Sequence, residues 1–177
     1  YARGRVPPFD ETATAQVAYV LRGVTTAYAR GVEEVYYFLL RTWFNREGTV
    51  QFGLLRKDLT PYPAYAALAL YNSLLGGGRH AGSLTRAGLV AHEFATPRGR
   101  VALAWGGEAS RSLVLPVREQ PRVLDAMGQP VAVEGSAGAW RVALKRSLPV
   151  YVRDAVWLEA LAPPVPRRGR IVGADPQ

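Results

Sequence analysis

The sequence contains no cysteine. Disulfides and thiolate metal sites are thereby excluded, and the redox compartment stays open. Methionine occurs once, at Met127, asparagine only at Asn45 and Asn72, and lysine only at Lys57 and Lys145 among 22 basic residues. The two histidines, His80 and His92, stand apart in the chain with no paired-acid spacing beside them, so no metal site is read from them. Long apolar runs are missing as well. Nothing approaches the ~18 residues that span a bilayer, and no charged-then-apolar leader opens the chain, so neither a membrane partner nor a retained signal peptide is expected. Gly76-Gly77-Gly78 lacks the Lys-Ser/Thr of a phosphate loop, and Ser110 and Ser112 sit in no nucleophile elbow. No cofactor is expected.

What remains is an ordinary globular mixture, 49 % hydrophobic and 20 % charged over 177 residues, enough for one compact domain or two small ones. A net charge of +8 would suit a polyanion, yet the arginines are spread among acids and the one compact basic group is Arg167, Arg168 and Arg170. That group reads as a solvated tail, and no nucleic-acid partner is expected.

Between Asp10 and Arg30 the apolar residues Val17, Val20, Leu21, Val24, Ala27 and Tyr28 recur at spacings of three and four, which predicts an amphipathic helix stopped by Gly31. Within Val32 to Leu40 the run Val35 to Leu40 is apolar on both faces, the pattern of a fully buried parallel strand. A long connection, 41–60, carries Trp43, Phe44 and Phe52, and a second helix then opens at Pro61 and Pro63 and runs to Gly76. After the triple glycine the period changes to two. Short segments follow at 89–95, 100–105, 112–117, 122–124, 131–133, 140–144 and 149–153, separated by turn signals, and predict an antiparallel sandwich whose Trp105 and Trp140 point inward.

Three stretches carry a resemblance. Thr14-Ala15-Gln16-Val17-Ala18-Tyr19-Val20-Leu21-Arg22, then Gly31-Val32-Glu33-Glu34-Val35-Tyr36-Tyr37-Phe38, then Gly53-Leu54-Leu55 with Pro61-Tyr62-Pro63-Ala64-Tyr65 resemble the end of clan A glycoside hydrolase barrels, of the β-xylosidase-like, family-5-like or family-39-like kind. The match covers roughly residues 11–76. It implies an α/β plus all-β chain: the last strand and helices of a (β/α)8 barrel in 1–78, a small antiparallel β-sandwich in 79–162, and an irregular tail in 163–177. One such strand with two helices cannot close a barrel of about 250 residues, so the rest is expected upstream or on another chain. The first residue, Tyr1, is in keeping with that expectation. An independent small domain with helices laid on a sheet is the competing architecture.

The resemblance implies hydrolysis of O-glycosidic bonds in an oligo- or polysaccharide, secreted or at the cell envelope. That chemistry needs two carboxyl groups across the scissile bond. In the family they lie at the ends of strands four and seven, before this chain begins. No acid pair here replaces them: Asp10 and Glu11 fit a helix start, Glu33 and Glu34 precede the strand, Asp58 fits a turn, and Glu93, Glu108, Glu119, Asp125 and Glu134 are scattered. The chain's own contribution is read as substrate-binding. Trp43 follows the last strand at the end where barrel sites are built, offering a flat apolar face to a sugar ring, with Arg41 and Asn45 placed to bond hydroxyls.

Overall fold

The computed structural model describes residues 9–37, 40–41, 53–107, 112–145 and 148–154, with side chains from residue 13 onward. Two helices come first, α1 (Phe9–Ala29) and α2 (Pro63–Leu75). The three-and-four spacing of α1 turns Val17, Val20 and Leu21 inward, where all three are buried. The helix ends at Gly31, whose φ of +83° suits a residue without a Cβ. There the Val32 amide bonds the Ala27 carbonyl at 3.1 Å and the Gly31 amide bonds that of Tyr28 at 3.0 Å, the paired bonds of a Schellman cap. In α2 a proline sits at the first position, where an amide would have no helical acceptor.

Eight strands follow: β1 (Arg79–Arg86), β2 (Leu89–Thr96), β3 (Gly99–Gly106), β4 (Ser112–Leu115), β5 (Arg122–Leu124), β6 (Val133–Glu134), β7 (Trp140–Ala143) and β8 (Val150–Arg153). They form a five-stranded sheet in the order β1-β2-β3-β8-β5 and a three-stranded sheet in the order β4-β7-β6, every pair antiparallel. The larger sheet is the middle layer. Phe94, Val101, Leu103, Trp105 and Tyr151 on one face meet Leu21, Ala64, Ala67, Tyr71 and Leu75 of the helices. On the opposite face Ala91, Ala102, Ala104, Val150 and Val152 meet Leu113, Leu115 and Val142 of the smaller sheet. Large residues thus alternate with alanines along β3 instead of with polar groups. Trp105 therefore points toward the helices and not into the space between the sheets, while Trp140 packs partly buried on the inter-sheet core.

Two expectations need correction. The strand expected over Val32–Leu40 does not form in its described part: residues 32–37 join no sheet, and Val32, Val35 and Tyr36 are exposed, Tyr36 to 86 %. A strand apolar on both faces is stable only between neighbours and beneath helices, and the described residues provide none there. Among the described residues the one parallel contact outside the sheets is a bridge between Arg41 and Leu55. The other correction is β1, which period-two patterning did not find. It is an edge strand, almost wholly exposed, so Arg79, His80, Ser83, Thr85 and Arg86 are polar and no apolar alternation marks it. Its link to β2 is the two-residue Ala87-Gly88 turn, with φ of 48° and 77°, the hairpin geometry that matches strand twist. The tail expected at 163–177 lies outside the described residues.

Among the buried polar atoms without a hydrogen-bond partner, the Tyr151 hydroxyl has a measurable consequence. Tyr151 is fully buried, and its hydroxyl has no hydrogen-bond partner among the described residues. Burial pushes its phenol pKa up, as it pushes that of Tyr71 up to about 12. An unsatisfied buried hydroxyl costs stability, so Tyr151→Phe is expected to be neutral or stabilising by up to about 1 kcal/mol in urea unfolding. Leu21→Ala, which empties the same core, is expected to cost about 2–5 kcal/mol. A Tyr151→Phe loss above about 1 kcal/mol would show that the hydroxyl has a partner.

Candidate functional site: the rim around Arg41

The residues expected to contact substrate lie where the chain leaves 32–41. Trp43 and Asn45 lie outside the described residues. Arg41 is described, and its surroundings are built by the segment 53–62. The Leu55 amide bonds the Leu40 carbonyl at 2.8 Å, and Arg41 Nη2 donates to the Lys57 carbonyl at 2.8 Å. The same segment is tied to α1 by Gln16, whose Nε2 donates to the Gly53 carbonyl at 2.9 Å. Two of the three stretches that carry the family resemblance, around Gln16 and from Gly53 to Tyr65, are therefore in direct contact.

Beyond Leu55 the chain folds back on itself. The Arg56 amide bonds the Thr60 carbonyl and the Tyr62 amide bonds the Leu54 carbonyl, at 2.8 and 2.9 Å. Asp58 closes the tip: its Oδ1 accepts from the Thr60 hydroxyl at 2.7 Å and from the Thr60 amide at 3.0 Å. Arg56 braces the exit, donating to the Pro61 carbonyl at 2.7 Å and lying 4.5 Å from the centroid of the Tyr62 ring. Among the described residues the rim presents Arg41, Arg56 and Lys57 with one carboxylate, Asp58. Cationic donors of this kind bond hydroxyls or anionic groups. Glycosidic cleavage takes two carboxyl groups, and the described part of the rim holds one.

The cavities point the same way. One of about 260 Å³ lies between the first turns of the helices and the strands, lined by Ala13, Val17, Pro63, Ala126, Leu148 and Val150 with Asp125 and Lys145 at its edge. A longer groove of about 790 Å³ follows α1, with Tyr19, Arg22, Arg30 and Trp105 in its wall and Arg22 positioned over the Trp105 ring. Among the described residues neither is lined by two carboxylates. A crevice on the sandwich is lined by Glu119 and Asp154 together with Arg118, Arg122 and Arg153. The buried carboxylate Glu93 is held by Arg100 Nη1 at 3.3 Å.

One grouping was invisible from spacing. His80 and His92, twelve positions apart, meet through Ser83: His80 Nε2 and His92 Nδ1 lie 2.8 and 2.7 Å from the Ser83 hydroxyl. The only sequence signal for it would have been the β1–β2 hairpin, and β1 carries no apolar pattern.

Neither a protein-family model nor a curated protein sequence matches the chain. Solved structures do. A family 39 glycoside hydrolase from the gut symbiont Bacteroides cellulosilyticus WH2 matches with a TM-score of 0.67 and 22 % sequence identity, over 80 % of this chain and 30 % of that one. By fold, this chain resembles a glycoside hydrolase. A family 30 subfamily 8 xylanase from Clostridium acetobutylicum matches with a TM-score of 0.58 and 12 % identity, over 88 % of this chain and 41 % of that one. The chain spans less than half the length of either structure.

The Asp58 turn gives a pH test of the rim. The Thr60 hydroxyl bond, followed by the Thr60 amide bond, holds the Asp58 carboxyl below its ordinary 3.8. A lowered folded pKa means that the turn's stabilisation is full above the ordinary value and is lost as pH falls through the folded one. The Thr60 amide resonance is therefore expected to titrate with a midpoint below 3.8, and Asp58→Ala is expected to abolish that step. A midpoint at or above 3.8 would contradict the turn geometry.

Proposed function

We propose that this chain is the carboxy-terminal portion of a glycoside hydrolase that cleaves O-glycosidic bonds in oligo- or polysaccharides by a two-carboxylate mechanism. The observation that carries this reading is the fold likeness over 80 % and 88 % of the chain to two glycoside hydrolases, one of them a xylanase. Both catalytic carboxylates are assigned to residues upstream of Tyr1.

In this reading residues 1–78 belong to a (β/α)8 catalytic domain and 79–162 to a bracing sandwich. The exposed apolar residues Val32, Val35, Tyr36 and Leu40 mark the edge that would pair with the remaining barrel strands. Trp43 would stack on a sugar ring next to the cleaved bond, with Arg41 and Asn45 bonding its hydroxyls. The bonds from Gln16 to Gly53 and from Arg41 to Lys57 support this role, because they hold the rim beside Arg41 against α1. A side chain positioned this way acts by binding and orienting, while the proton transfers and the attack at the anomeric carbon fall to the upstream acids.

The second reading is a non-catalytic carbohydrate-binding or structural protein. The test is release of reducing sugar from xylan, and of nitrophenol from p-nitrophenyl β-xyloside and β-glucoside, by this chain and by a version extended through the upstream coding sequence. Hydrolysis by the extended protein alone is expected. Within it, Trp43→Ala is expected to lower kcat/KM by about tenfold, the equivalent of the ~0.5–1.5 kcal/mol of an aromatic stacking contact. Turnover by the 177-residue chain itself would overturn the placement of the carboxylates. No turnover by the extended protein, with binding retained, would favour the second reading.

A further inference from the structure

The chain has only two histidines, and the fold brings them together on one face of one hairpin. In a regular strand residues three apart point to opposite faces, so His80 and Ser83 would be separated by the sheet. They are not, because the β1–β2 register slips between His80 and Gly82: His80 pairs with Phe94, Ser83 pairs with His92, and Ala81 is the extra residue. A bulge of this kind re-aims side chains, and here it turns both onto the face that carries His92 and Phe94. The His80 and His92 ring centroids are 6.0 Å apart. Their nitrogens Nε2 and Nδ1 converge on the Ser83 hydroxyl from 2.8 and 2.7 Å.

We propose that His80, Ser83 and His92 form a binding site for a late first-row divalent cation of the copper, nickel and zinc class. Neutral imidazole is a preferred ligand of these ions, with metal–nitrogen distances near 2.0–2.1 Å. One of the two ring nitrogens accepts the single Ser83 O–H proton and the other donates its N–H to the Ser83 oxygen. A cation seated between the rings takes the lone pair of the first and, once the second ring has moved its proton to its other nitrogen, the lone pair of the second, leaving the serine oxygen as a weak third ligand or as the acceptor for a bound water. His92 is the anchored ligand. It is buried, with its ring 5.4 Å from that of Trp105. His80 packs on Phe94 at 5.7 Å but is exposed, as is Ser83, so the site opens to solvent.

No third histidine, cysteine or acid completes a ligand group among the described residues. The remaining positions therefore go to water, which makes the site open and exchangeable instead of closed and structural. The Arg30 charge acts on His92 and works against a cation, so binding rests on the nitrogen ligands. Affinity should follow the order in which imidazole sites favour copper over nickel and zinc, and Mg²⁺ and Ca²⁺, which seek oxygen, should be refused.

The experiment uses the untagged 177-residue chain, titrated with CuCl2, NiCl2, ZnCl2 and MgCl2 by calorimetry, with the imidazole proton resonances followed on adding Ni²⁺. One ion per chain is expected, Cu²⁺ tightest and Mg²⁺ silent, and substoichiometric Ni²⁺ should broaden both histidine rings together. His80→Ala, a change at an exposed position, is expected to weaken Cu²⁺ binding by at least tenfold, on the order of what altered metal surroundings cost. The ring broadening needs no variant, so the outcome does not depend on how His80→Ala folds. No heat with Cu²⁺, broadening of one ring only, or an unchanged affinity in His80→Ala would overturn the site.

Discussion

Everything described here hangs on a five-stranded sheet that is sealed on both faces. β3 is the clearest case: Val101, Leu103 and Trp105 face the helices and Ala102 and Ala104 face the second sheet, all of them buried. The large residues fill the deeper gap under α1 and α2. The alanines let Leu113, Leu115 and Val142 approach closely on the other side. Burial on this scale drives the assembly, since each large apolar side chain removed from water contributes roughly 1.5–3 kcal/mol. Because Leu21 and Tyr71 reach the same cluster as Leu103 and Tyr151, neither helix can shift without opening the sheet.

That rigid base decides where the polar groups end up. α1 cannot rotate, so Gln16 is held where its amide meets Gly53, and the rim 53–62 is fixed relative to Arg41 by backbone and guanidinium bonds. The same base supports the histidine pair. Trp105 and Phe94 belong to the helix-facing core and also form the ring contacts of His92 and His80. The bulge at Ala81 has a local cost in lost pairing, and it persists on an edge strand whose outer side has no ladder to satisfy.

Much of this order was legible in the sequence. Three-and-four spacing located α1, Gly31 located its stop, Pro61 and Pro63 with the triple glycine located α2, and the two-residue period located strands from Leu89 to Arg153 within a few residues. What escaped has physical reasons. β1 was hidden because an edge strand can be polar throughout. Trp105 packs in the core as expected, on the helix side of the sheet, because a strand covered on both sides alternates large with small, which period-two reading takes for one-sided burial. Val32–Leu40 has the composition of a buried strand, but composition records only what a segment needs, and the flanking strands must be present to meet it. Of the candidate site, Arg41 and its loop could be placed. The meeting of His80 with His92 depends on one inserted residue in a register, and no spacing rule anticipates that.

The exposure of Val32, Val35, Tyr36 and Leu40 beside so well sealed a core separates two kinds of apolar surface in one chain. The sheet and helices have satisfied their burial among themselves. The segment after Gly31 has not, although its residues are as apolar as those of β3. On the glycoside hydrolase reading this contrast has a mechanical sense, because the self-sufficient part is a platform and the unsatisfied part is the edge by which it would join the barrel. Arg41 stands at the end of that edge, bonded to Lys57 on the platform side. A substrate contact made from this position would be held rigid by the same core that keeps the sheet closed, and the bond-breaking acids would be carried by the part that docks against it.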